Sequence, residues 1–125
     1  MTAKARILIV DDERSMREFL EIFFRREGYD VTTACDVASA TLCLKSDDYD
    51  VLISDMQMPD GSGLDLLNVV RNCGQDTVTI MITAFATTDS AITAMKEGAY
   101  DYITKPFQVD EVRLIVEKAL ERSEE

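Results

Sequence analysis

Short apolar runs alternate along the chain with longer stretches in which apolar residues recur every three or four positions. The runs are 6–10 (RILIV), 31–34 (VTTA), 51–54 (VLIS), 79–83 (TIMIT) and 102–104 (YIT). Several are apolar throughout, the pattern of strands in a parallel sheet covered on both faces. Between them, Met16, Phe19, Leu20 and Phe23 step at helical spacing, and Gly28 is placed to end that helix as a left-handed cap. Residues 38–45 read as a shorter helix closed by the polar SDDYD. Leu64, Leu67 and Val70 mark a third, ending near 72–74. Asp89 or Ser90 is expected to cap a fourth, with Ala91, Ile92 and Met95 inward and Gly98 closing it. Val112, Ile115, Val116 and Leu120 carry the fifth, whose charged end is ERSEE.

Five strand–helix units in succession predict a doubly wound α/β sheet with right-handed crossovers. Neither an internal repeat nor a linker divides the 125 residues, so 1–125 reads as one domain. Open sheets of this type bind ligands at the carboxyl ends of their strands.

Charge narrows the function. The net charge is -11, so a nucleic-acid duplex is repelled by the surface as a whole, whereas a divalent cation or a basic partner is not. No apolar run reaches the ~20 residues of a membrane span. The opening MTAKAR lacks the apolar core of a signal peptide, and the expectation is a cytoplasmic protein. Cys35, Cys43 and Cys73 form no CxxC pair and read as reduced thiols. Histidine is absent, which removes His-based acid–base catalysis, His metal ligands and a phosphohistidine carrier role.

Chemistry must therefore rest on carboxylates, lysines and hydroxyls, and several gather where the fold rule points. The first run ends in Asp11 and Asp12, the third in Asp55, the fourth in Thr83, and the fifth leads into Lys105–Pro106. Each alone has an ordinary explanation: acids favour helix starts and turns, threonine favours strands, and lysine favours the surface. Met56 and Met58 read as core. Converging carboxylates without His or Cys form a hard oxygen site suited to Mg²⁺. Such a site can hold a phosphoryl group, with Lys105 and the Thr83 hydroxyl on its other oxygens, while one carboxylate acts as nucleophile. Relief of buried repulsion predicts that Asp12→Asn raises the melting temperature of the metal-free protein. Pro59, Gly61 and Gly63 allow a tight turn after Asp55 that can aim a main-chain carbonyl at the metal. The Lys105–Pro106 bond is cis or trans; sequence leaves that open.

VDDE, SDMQMPDGSG, MITAFA and YITKPF, in this order and spacing, resemble the receiver domain of bacterial response regulators over essentially the whole chain. GAYDYITKPF with MITAFAT most resembles receivers of AAA+ activators of sigma-54 transcription. The resemblance implies a flavodoxin-like fold with strand order 2-1-3-4-5. It implies that Asp55 accepts a phosphoryl group from a sensor histidine kinase, and that Asp12 and Asp55 ligate Mg²⁺ directly. Asp11 would then act largely through water, and Gln57 would contribute its main-chain carbonyl. Lys105 and the Ala84 amide would meet the phosphate, Thr83 would move toward it, and Tyr102 would swing inward.

The output is then expected on the surface of the fourth helix, fifth strand and fifth helix. It would control AAA+ and DNA-binding modules, with 119–125 the expected start of a helical linker toward them, and phosphorylation could form a homodimer or break one, which the sequence leaves open. The domain would be regulatory rather than an enzyme, catalysing only its own phosphorylation and slow dephosphorylation. Alternatives are a stand-alone phosphorelay receiver, a phosphate-blind receiver, and a Mg²⁺-dependent phosphohydrolase with an aspartyl-phosphate intermediate. Gln57, two residues after Asp55, argues against the last because an amide is no acid or base at neutral pH. Phe85 is expected to restrict the attacking water.

Overall fold

Alternation within each strand decides the architecture. In the computed structural model, which describes residues 5–74, 76–84 and 86–123, the strands are β1 (Arg6–Val10), β2 (Asp30–Ala34), β3 (Val51–Asp55), β4 (Val78–Thr83) and β5 (Asp101–Thr104). The helices are α1 (Arg14–Arg26), α2 (Val37–Ser46), α3 (Gly63–Asn72), α4 (Thr88–Lys96) and α5 (Val109–Ser123). The strands form one parallel sheet in the order β2-β1-β3-β4-β5.

Successive strand residues point to opposite faces, so an all-apolar strand feeds two cores. Ile7, Ile9, Ile53, Ile80 and Ile82 pack with Leu20 and Phe24 of α1 and Val112 and Val116 of α5. Leu8, Val10 and Leu52 pack on the other face with Ala40 and Leu44 of α2 and Leu66 of α3. Met81 continues that face with Met56, Leu67, Ala94 and Ala99. Each of the larger buried side chains contributes ~1.5–3 kcal/mol relative to exposure.

Local chemistry sets the helix ends. Gly28 has φ +96°, the left-handed cap expected after α1. Asp36 caps α2 by accepting the Ser39 amide, and a reciprocal box between Ser62 and Asp65 starts α3. Gly63 sits where a Cβ would lie 2.7 Å from both the Asp55 carbonyl oxygen and Met81 Sδ. Only glycine lets α3 start that close to the end of β3.

Two expectations are corrected. The cap of α4 is Thr87, whose side chain accepts the Ser90 amide, so Ser90 lies inside the helix. Its inward stripe centres on Ala94, while Ile92 and Met95 are 49% and 48% exposed. The helix lies beside the edge strand β5, where Ala94 alone closes the contact with Met81 and Ala99. Phe19 is likewise half exposed, and Phe24 takes the deep position on α1. In both helices the apolar spacing is compatible with two adjacent faces, and packing against the sheet selects one.

Candidate functional site

Parallel strands bring all their carboxyl ends to one edge, and the predicted residues meet there. Asp11 directly follows β1, Asp55 ends β3, Thr83 ends β4 and Lys105 follows β5. Asp11 is almost fully buried: Oδ1 accepts the Glu13 amide at 2.9 Å, and Oδ2 accepts from Lys105 Nζ at 3.0 Å. Lys105 Nζ also donates to Asp55 Oδ2 at 3.2 Å. Asp55 Oδ1 accepts the Gln57 amide at 3.2 Å. Asp12 is exposed and faces the same cleft. Glu13 is the N-cap residue of α1, the helix-start position expected of it, and its side chain accepts from Ser15 Oγ at 2.9 Å rather than from a helix amide.

Burial pushes the Asp11 carboxyl up from the usual carboxylate range, and the Asp55 charge adds to it. The Glu13 amide and Lys105 oppose this without cancelling it. Burial alone would lower Lys105, but the hydrogen bond and charge of Asp11, joined by Asp55, hold its ammonium above the ordinary range. Asp11 therefore carries an electrostatic cost of burial. Asp12 is exposed, so the buried repulsion expected of Asp12→Asn belongs to its neighbour.

One oxygen from each of Asp11, Asp12 and Asp55 lies within 4.8 Å of the others, a hard donor set that fits a divalent cation of the Mg²⁺ class. The cleft above them, about 440 Å³, is lined by Asp12, Glu13, Asp55, Gln57, Met58, Pro59, Ala84 and Lys105. Thr83, next to the lining residue Ala84, is buried at the end of β4. Tyr102 is half-buried, and its hydroxyl lies 2.7 Å from Ser90 Oγ on α4. The Lys105–Pro106 bond is cis. Phe85 lies outside the described residues.

Two participants escaped the sequence reading. Ser90 binds Tyr102 while exchanging hydrogen bonds with Thr87; the Thr-x-x-Ser spacing signals a cap but not the tyrosine. Asp60 reads as an ordinary turn residue after Pro59, yet its carboxylate accepts two amides of α2, 22 and 23 residues away.

A family model described as "Response regulator receiver domain" matches residues 7–117. The chain is 41% identical over 118 residues to the response regulator protein PilR of Pseudomonas aeruginosa, covering 94% of this chain and 26% of that protein. It is 38% identical over 121 residues to the regulatory protein AtoC of Escherichia coli, covering 97% and 26%. It thus spans about a quarter of these relatives. Among solved structures, the beryllofluoride-activated NtrC4 receiver domain dimer superposes with TM-score 0.88 at 35% identity, covering 94% and 97% of the two chains. The response regulator TrrA of Thermotoga maritima, in complex with Mg²⁺ and BeF, gives 0.81 at 35%, covering 91% and 97%.

Proposed function

The chain belongs to the response regulator receiver family, and from that premise we propose that it is a phosphorylation-driven switch with Asp55 as acceptor. The observation that carries this reading is the convergence of Asp11, Asp12, Asp55 and Lys105 on one open cleft. A carboxylate oxygen of Asp55 attacks the phosphorus of a phosphohistidine on a sensor kinase. The P–N bond breaks, its electron pair stays on the imidazole, and an acyl phosphate forms on Asp55. Asp12, Asp55 and the Gln57 main-chain carbonyl would hold Mg²⁺ directly, with Asp11 acting largely through water, and the ion would supply neutralisation of phosphoryl charge.

The chain's own groups do the rest. Lys105 exchanges its contact with the Asp55 carboxylate for one with a phosphoryl oxygen, and the Ala84 amide and Thr83 hydroxyl take another. Movement of Thr83 leaves space that Tyr102 fills once its hydroxyl leaves Ser90. That motion alters α4, whose exposed Ile92 and Met95 already form an apolar surface suited to an output module or a second copy. From the resemblance of MITAFAT and GAYDYITKPF to receivers of sigma-54 activators, we infer transcriptional control through AAA+ and DNA-binding modules. Cytoplasmic location follows from the kinase partnership.

The test is incubation with Mg²⁺ and acetyl phosphate, or with a beryllium fluoride mimic, on the parent chain and on Asp55→Asn. A single label on the parent, lost in the variant, is expected. Labelling undiminished in Asp55→Asn would remove Asp55 as acceptor.

A further inference from the structure

The segment between Asp55 and α3 is a short hairpin in which Gln57 pairs with Ser62 and Met58 with Gly61, leaving Pro59 and Asp60 at the tip. Gln57 faces the cleft at the base of this hairpin. The tip is anchored on another element. Asp60 Oδ1 accepts the Val37 amide at 2.9 Å and Oδ2 accepts the Ala38 amide at 3.0 Å. These are the first two residues of α2, whose amides have no partner inside the helix. The approach is close: a Cβ on Gly61 would lie 3.2 Å from Val37 Cγ2. Met58 is buried in the core that α2 covers, which seats the same strand from below.

We propose that Asp60 is a positioning residue for the cation site, clamping the hairpin to α2 so that the Gln57 carbonyl is held where the metal needs it. This rests on the metal reading above. Asp60 acts through the hairpin and not as a ligand of metal or phosphate in this reading. By reciprocity, a cation held through the hairpin strengthens the Asp60 contacts to α2, so the helix start reports on the site.

The experiment compares the parent chain, Asp60→Ala, Asp60→Asn and Asp36→Ala by Mg²⁺ titration calorimetry and by amide hydrogen exchange with and without Mg²⁺. Asp36 caps the same helix through the Ser39 amide and has no bond to the hairpin among the described residues, so it controls for loss of α2 stability. Asp60→Ala is expected to bind Mg²⁺ about 10-fold more weakly, the usual scale for outer groups that orient a ligand. Asp60→Asn, which keeps one acceptor oxygen, is expected to lie between, and Asp36→Ala to match the parent. Mg²⁺ should slow exchange at Val37 and Ala38 in the parent and leave it unchanged in Asp60→Ala. Parent-like affinity in both Asp60 variants, or equal weakening in Asp36→Ala, overturns the clamp while leaving the metal reading intact. Failure of the parent to bind Mg²⁺ overturns both. If Asp60→Ala does not fold, Asp60→Asn carries the comparison.

Discussion

Lys105→Met isolates the internal counter-ion of the acidic site. Lys105 Nζ lies 3.0 Å from Asp11 and 3.2 Å from Asp55, with side-chain exposures of 15%, 4% and 12% for the three groups. At an effective dielectric of ~20, each contact is worth ~5 kcal/mol of gross Coulomb attraction. Desolvation offsets much of this, and removing one partner of such a pair costs ~3–5 kcal/mol because the remaining charges stay buried. The ammonium borders an open cleft, so the lower end applies. Metal-free Lys105→Met should lose ~3 kcal/mol at neutral pH, a fall of about 10 °C in melting temperature for a domain of this size. Mg²⁺ then no longer competes with an ammonium for Asp11 and Asp55. Its affinity should rise about 10-fold, with a correspondingly larger thermal shift on adding metal. Thermal melts with and without Mg²⁺, paired with calorimetric titration, measure both effects. A variant that melts within about 2 °C of the parent without metal, or binds Mg²⁺ no more tightly, would refute the counter-ion account.

Asp11→Asn should raise the metal-free melting temperature at neutral pH and weaken Mg²⁺ binding. Because the folded value of Asp11 is raised, the native state holds its proton more tightly than the unfolded chain. Its contribution therefore favours folding below the unfolded value and is lost as pH rises through the folded value. Melting curves taken from acid to neutral pH should accordingly fall less steeply in the variant; an unchanged slope counts against Asp11 as the seat of the cost. Thr79 Oγ1 is buried on the α3–α4 side of the sheet, remote from the cleft, with no hydrogen-bond partner among the described residues. Thr79→Val, nearly isosteric, should stabilise by ~1–2 kcal/mol in urea unfolding with Mg²⁺ affinity unchanged, and a loss of stability would reveal a partner for the hydroxyl.

Much of the site was legible before folding because a parallel sheet has a polarity. Once RILIV, VLIS, TIMIT and YIT are strands connected by helices, Asp11, Asp12, Asp55, Thr83 and Lys105 must emerge on the same edge. Strand identity depends on runs of a few residues, and helix starts such as Ser62 on side chains that bond within three positions. Both are local, so both can be read from the chain.

Tertiary structure decided what contacts between distant residues control. Residue chemistry alone gives Asp11 and Asp12 the same carboxylate and only the resemblance separated their roles, whereas the fold buried Asp11 and exposed Asp12. Lys105 reaches Asp11 across 94 residues and Asp55 across 50, and that pairing sets the charge balance of the site. Apolar spacing on α1 and α4 permitted more than one inward face, and the place of each helix against the sheet chose among them. Nothing near Asp60 in the chain signals its bridge to α2, because a carboxylate's partner is whatever amide the fold brings within 3 Å. Periodicity and capping act over one turn of chain, whereas burial and ion pairing act through space.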